Sequence, residues 1–229
     1  EMCIRDRYAL GIVNGTMEPF EQATLSMNGV GNLVDLIDTH KQQQQTNIDI
    51  QNENNHDHSI LGHLPYNDIS KEKLVVIEPN IKVHIDMRES LLKMREDAKN
   101  DGISLVFLSG YRSINLQKDI FYSLKSIRNQ VASERAKVSA PPGYSEHSTG
   151  FAIDIGDANK RKTDFEVEFE NTETFRWLKK NAAKYHFKLS FNKSNKNIDY
   201  EPWHWRYEGS IESLKVFEES NRRFNNLKN

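Results

Sequence analysis

Ser145-Glu146-His147-Ser148-Thr149-Gly150-Phe151-Ala152-Ile153-Asp154 places a histidine and an aspartate in one short segment, and Glu201-Pro202-Trp203-His204 adds a second histidine and a glutamate about fifty residues later. Two imidazoles and a carboxylate suit zinc, whose catalytic sites take three protein ligands and leave a fourth position for water or substrate. His147, Asp154 and His204 supply that set. A hydrolase also needs a base beside the water it activates, and Glu201, three residues before His204, is placed to be one. Taken singly, each residue has a plainer reading. A lone His147 is more often a hydrogen-bonded histidine than a ligand, Asp154 could pair with an arginine, and Glu201 could be an exposed charge ahead of Pro202. Their joint occurrence favours the metal. Asp154 lies in an apolar run, where an unpaired charge is costly to bury and a dication removes that cost.

Upstream, Ser109-Gly110-Tyr111-Arg112-Ser113 forms a third element. The ordered set Ser-Gly-Tyr-Arg-Ser, Ser-x-His-x6-Asp and Glu-x-x-His resembles the hallmark of the VanY-type zinc D,D-carboxypeptidases, or D-alanyl-D-alanine peptidases, over roughly residues 60 to 210. The resemblance implies an α+β fold of the hedgehog/DD-peptidase type, a small, mostly antiparallel sheet with packed helices. It also implies one zinc ion on His147, Asp154 and His204, with Glu201 as general base. Arg112 offers a fork of donors suited to a carbonyl oxygen that becomes an oxyanion. In the family such an arginine lies near the scissile carbonyl; a scaffold salt bridge is the alternative. By the same resemblance Ser145 and Gln117 hold the free C-terminal carboxylate of a peptide, and Tyr111 joins them as a substrate-binding residue.

The activity so implied is removal of the terminal D-Ala from peptidoglycan stem peptides, in the bacterial periplasm or cell envelope. L,D-carboxypeptidases and peptidoglycan endopeptidases of the same superfamily remain open alternatives. So does a non-catalytic, zinc-containing binding module, as in the hedgehog signalling domain. Retention of Glu201 and Arg112 argues against the last, because a structural zinc needs neither.

At 229 residues the chain has room for one catalytic domain and a tail. The 31 basic and 33 acidic side chains nearly cancel, at net -2, and give no electrostatic reason to expect nucleic acid. No run of eighteen apolar residues suggests a membrane span, and a single cysteine, Cys3, excludes an internal disulfide. Residues 1–7, Glu-Met-Cys-Ile-Arg-Asp-Arg, match the translation of a transposon end used in sequencing libraries. The expectation is that they are a scar and that the natural N-terminus, with any signal peptide or anchor, is missing.

Residues 8–59 are rich in Asn, Gln and Asp, with Gln42 to Gln45 and Asn52-Glu53-Asn54-Asn55 as runs. They read as a polar linker or disordered arm, with one short helix at Val30 to Asp38, because they cannot bury enough apolar surface to offset ordering entropy. His56 and His58 in this arm read as solvated. Residues 60–225 read as the catalytic domain. Within it the pattern predicts a strand at Lys73–Ile77 and a helix from an Asp86 cap to Asn100, closed by Asp101-Gly102. A buried strand at Ile103–Leu108 should deliver Ser109–Ser113 at its end. Ser113 should cap a helix running to about Gln130, with Leu116, Ile120, Leu124 and Ile127 as its apolar stripe. Pro141-Pro142-Gly143 breaks the chain before the metal motif. Further elements are a helix at Thr172–Tyr185, antiparallel strands at Phe187–Phe191 and Trp203–Tyr207, and a closing helix at Ile211–Arg222. Alternation puts Trp203, Trp205 and Tyr207 on one face and His204 with Arg206 on the other. His84 and His186 have no ligand company and read as structural.

Overall fold

The computed structural model describes residues 59–226 and, ahead of them, a short antiparallel pair, β1 (Ile12–Val13) and β2 (Thr16–Met17). That pair falls in the expected arm. The expected scar, the helix at Val30 to Asp38, and His56 and His58 lie outside the described residues.

A hairpin opens the domain: β3 (Leu74–Glu78) and β4 (Ile81–His84) turn through Asn80 at φ 65, a left-handed position that asparagine tolerates. Helix α1 (Ile85–Asn100) follows, then β5 (Leu105–Ser109), α2 (Ile114–Ile127), α3 (Ala132–Val138) and β6 (Ala152–Asp157). The chain ends with α4 (Glu173–Asn181), β7 (Phe187–Leu189), β8 (His204–Tyr207) and α5 (Ile211–Asn226). The four later strands form one antiparallel sheet in the order β5-β6-β8-β7. Helices on a small antiparallel sheet make this the expected α+β fold.

Alternation along β6 and β8 decides which side of the sheet does what. Phe151, Ile153, Ile155, Trp205 and Tyr207 join Met87, Leu91, Met94 and Ala98 of α1, and Phe175 and Leu178 of α4, in one buried core. Burying each of the leucine, isoleucine, methionine and phenylalanine side chains contributes about 1.5–3 kcal/mol. The intervening residues Asp154, His204 and Arg206 are equally buried but polar, so the opposite face must satisfy them.

Several boundaries differ from the sequence reading. The hairpin strand β4 was not foreseen, since Ile-Lys-Val-His is too short to show a period. The cap of α1 is His84 rather than Asp86: its Nδ1 accepts from the Asp86 N–H at 3.1 Å, and Asp86 sits in the first turn, where its charge complements the helix dipole. Helix α2 stops at Ile127, which is 60% exposed, and buries Gln117, Phe121 and Leu124 instead of the full predicted stripe. Leu116 and Ile120 face a cavity between α2, α3 and the sheet, not the main core. Residues 182–185, expected as helix, tighten into a 3-10 turn that ends at His186 with φ 64.

Two backbone bonds tie the hairpin to the sheet: the Tyr111 N–H donates to the Lys82 carbonyl at 2.7 Å, and the His84 N–H to the Gly150 carbonyl at 2.8 Å. The approach at Gly110 is so close that a Cβ there would lie 2.3 Å from the Lys82 oxygen. Backbone cannot yield as a flexible side chain does, so Gly110→Ala should cost at least about 1–3 kcal/mol. Urea unfolding measures this directly; a variant with the wild-type midpoint would contradict the packing described.

Candidate active site

Strand register brings the first two candidate ligands together. Ser109 pairs with Asp154 across β5 and β6, and Asp154 pairs with His204 across β6 and β8. Residues directly opposite on antiparallel strands are side-chain neighbours, so the Asp154 carboxylate and the His204 ring stand side by side. His147 arrives on a single 3-10 turn, Glu146–Thr149. The Ser145 hydroxyl caps that turn by accepting from the His147 N–H at 3.3 Å, and Gly150 closes it at φ 73, where a side chain would be strained.

The inner nitrogens of both rings converge on Asp154. His147 Nε2 lies 3.2 Å from Asp154 Oδ2, and His204 Nδ1 lies 3.2 Å from Asp154 Oδ1. One ligand atom from each of the three residues lies within 4.8 Å of the others, and all three residues are buried. The outer nitrogens are engaged by protein. His147 Nδ1 donates to the Gly110 carbonyl at 2.7 Å, and His204 Nε2 donates to Glu146 Oε2 at 2.9 Å. With the outer nitrogens so engaged, the inner nitrogen of each ring is the one that a metal would take in place of a proton. The donor set and its arrangement fit a zinc ion.

Charge in this cluster is tightly balanced. Burial alone would raise the Asp154 pKa, yet the two histidines hold it well below the usual carboxylate range. Burial likewise opposes ionisation of Glu146, but Arg206 and the hydrogen bonds from His204 and Ser190 keep it far below that range. His147 is lowered, chiefly by burial. Burial also works against charge on His204, but Asp154 and Glu146 on its two nitrogens push it up to about 10. Glu201, with its carboxylate 3.8 Å from His204 Nδ1, is pushed up to about 7 by burial. There the attraction of His204 and Arg112 is offset by Asp154 and Glu146.

A cavity of about 360 Å³ opens beside the cluster, and Tyr111, Arg112, Ser145 and Glu201 all line it. Arg112 Nε is buried with no hydrogen-bond partner among the described residues. The Tyr111 ring walls the cavity while its hydroxyl donates to Asp68 at 3.3 Å. Gln117 is not brought to this wall. Its Nε2 donates to the Ser139 hydroxyl at 3.2 Å and the Ala140 carbonyl at 2.6 Å, one layer behind the cavity. Direct contact with a substrate carboxylate, the expectation for Gln117, is not what this arrangement provides; the 139–140 segment takes up the amide nitrogen, the one donor such a carboxylate could use.

Glu146 and the Gly110 carbonyl were not singled out from sequence. The available signal for the first was that Arg206 alternates onto the face of His204, so a buried counter-charge had to be near. A second acidic group, His84, Asp86 and Glu212, also brings ligand atoms within 4.8 Å. There His84 Nδ1 is used by the helix cap and both Glu212 oxygens lie 2.7 Å from Lys73 Nζ, so the group reads as a cap and an ion pair.

A helix-flanked antiparallel sheet carrying this His–Asp–His cluster next to a glutamate and an arginine is the architecture of the DD-peptidase class. The chain belongs to the VanY family, D-alanyl-D-alanine carboxypeptidase, whose model matches residues 80–210. It is 37% identical over 137 residues to the "Putative carboxypeptidase YodJ" of Bacillus subtilis (strain 168), a match covering 58% of this chain and 48% of that protein. It is 28% identical over 204 residues to a D-alanyl-D-alanine carboxypeptidase of Enterococcus faecium, covering 86% of this chain and 58% of that one. The chain thus spans about half the length of the curated relatives it matches. Among solved structures, the LdcB LD-carboxypeptidase superposes with a TM-score of 0.53 at 31% identity, covering 69% of this chain and 72% of LdcB. VanYB in complex with D-alanine-D-alanine superposes at 0.55 with 22% identity over 71% and 93% of the two chains, a likeness of fold.

If the cluster holds zinc, Asp154→Ala removes a ligand and leaves two histidines without their bridging carboxylate. Metal analysis of the purified variant should then fall well below the roughly one zinc per chain expected of the wild type. Full occupancy in Asp154→Ala would overturn the ligand assignment.

Proposed function

We propose that the chain is a zinc-dependent D-alanyl-D-alanine carboxypeptidase that releases the terminal D-alanine of peptidoglycan stem peptides. The observation that carries this reading is the convergence of His147 Nε2, Asp154 and His204 Nδ1 beside Glu201 and Arg112 on one cavity. Membership of the VanY family and the names of its relatives support the substrate class. That substrate lies outside the cytoplasmic membrane, so we place the activity in the periplasm or cell envelope. Among the described residues no helix is long and apolar enough to cross a membrane.

His147, Asp154 and His204 would hold the metal. When bound, zinc supplies a Lewis acid for the scissile carbonyl and lowers the pKa of a water to about 7. Glu201 takes a proton from the attacking water as the new carbon–oxygen bond forms. It returns that proton to the amine nitrogen as the carbon–nitrogen bond breaks. Arg112 presents donors to the carbonyl oxygen as negative charge builds there. The Ser145 oxygen already accepts from the His147 N–H, which leaves its own proton for the substrate's C-terminal carboxylate. Gln117 serves this subsite from behind, by fixing Ser139 and Ala140. Tyr111, anchored on Asp68, walls the groove.

A second reading, L,D-carboxypeptidase, is favoured by the 31% identity to the LdcB LD-carboxypeptidase over 69% of this chain. The two differ in product. Incubation with a stem pentapeptide should release D-alanine, detected by mass, if the D,D reading holds. Inertness toward pentapeptide with trimming of tetrapeptide would establish the L,D reading instead. Glu201→Gln should retain zinc while losing about 10²- to 10⁴-fold in turnover; wild-type turnover in a zinc-loaded Glu201→Gln protein would remove Glu201 from the mechanism.

A further inference from the structure

Glu146 lies beside the metal cluster, and no proton transfer or substrate contact described above uses it. It is 4% exposed. Its Oε2 accepts from His204 Nε2 at 2.9 Å and from the Ser190 hydroxyl at 2.6 Å, while Oε1 accepts from Arg206 Nη1 at 2.8 Å. Arg206, 3% exposed, is fixed in turn by Glu208 at 2.7 Å and by Ser220 and Asn221, each at 2.8 Å. A buried ion pair of this kind is weak evidence for stability, because an apolar pair of similar volume commonly does as well. Its presence here calls for another reason, and the geometry supplies one. Asp154 presents its two oxygens to the inner nitrogens of the two histidines, whereas Glu146 is engaged by the outer nitrogen of His204 and by Ser190 and Arg206.

We propose that Glu146, locked by Arg206 and Ser190, is a positioning residue of the metal site, an inference that rests on the zinc reading above. By accepting the Nε2 proton of His204 it selects the tautomer whose Nδ1 faces Asp154, and it sets the plane of the ring. The guanidinium of Arg206 keeps the Glu146 carboxylate from becoming a ligand itself. The two histidines are thereby treated differently: His147 leans on a neutral carbonyl, that of Gly110, and His204 on a full negative charge that raises its basicity as a ligand.

The test compares zinc affinity, by chelator competition, in the wild type, in Glu146→Gln and in the double variant Glu146→Leu/Arg206→Met. The double variant avoids leaving a lone charge buried. It should fold with the wild-type circular dichroism yet bind zinc roughly 10- to 100-fold more weakly. Its cobalt-substituted absorption spectrum should change, and the nitrogen-15 signals of His204 should lose the single Nε2-protonated form. Glu146→Gln keeps an acceptor for Nε2 but not the charge, so it should keep that tautomer while still losing affinity, by about tenfold. A folded double variant with wild-type affinity and cobalt spectrum would show the pair to be packing only. Should the double variant not fold, wild-type affinity in Glu146→Gln would overturn the proposal by itself. A wild-type protein that takes up no zinc would refute the zinc reading and this role with it; zinc-binding wild type with equally competent variants would refute the role alone.

Discussion

Everything in this structure is arranged around one buried carboxylate. Asp154 lies in one of the two inner strands of the sheet, 1% exposed, with the aromatic core on one side and the cavity on the other. A carboxylate so desolvated is tolerable only beside positive charge or strong donors. The cross-strand pairing with His204 supplies the first neighbour, and the turn at Glu146–Thr149 supplies His147 as the second. The sheet is thus more than a support for the site. Its register is what makes two candidate ligands adjacent, and a slip of one residue would send His204 into the core and Trp205 into the cluster.

Three carboxylates share this small volume and end in two different states because their surroundings differ. Asp154 sits between imidazoles and is held ionised; Glu146 sits against Arg206 and is held ionised; for Glu201, burial with Asp154 and Glu146 outweighs the attraction of His204 and Arg112 and raises it to about 7. Environments that push similar groups apart are how a site divides labour among chemically alike residues. On the function proposed above, Asp154 is the ligand, Glu146 its support and Glu201 the carboxylate that exchanges a proton.

That His147, Asp154, His204, Glu201 and Arg112 would meet on one cavity was legible in sequence, because a zinc hydrolase would demand those residue types at recognisable spacing. The long helices and the core strands were legible through their apolar periods. Where the reading failed, the cause was tertiary. His84 caps α1 through a ring nitrogen, an unusual use of histidine that propensity does not anticipate. Ile127 carries a stripe's spacing but no neighbour to pack on, and Gln117 points at a backbone carbonyl that only the fold brings near. Glu146 was hidden in plain view between two motif residues, since its importance comes from Arg206, sixty residues away in sequence.

Gly110 shows how closely scaffold and chemistry are joined. Its missing side chain lets β4 approach until the Lys82 oxygen occupies the place of a Cβ, and the neighbouring Tyr111 N–H bonds that same oxygen. Its carbonyl accepts the Nδ1 proton of His147, while the Arg112 N–H that follows donates to the His147 carbonyl at 3.2 Å. One short segment therefore anchors the hairpin, orients a candidate metal ligand from both its ring and its backbone, and delivers the arginine. A glycine is required in Ser-Gly-Tyr-Arg-Ser because a larger residue would push the hairpin off, and the displaced carbonyl would release the histidine ring that it holds.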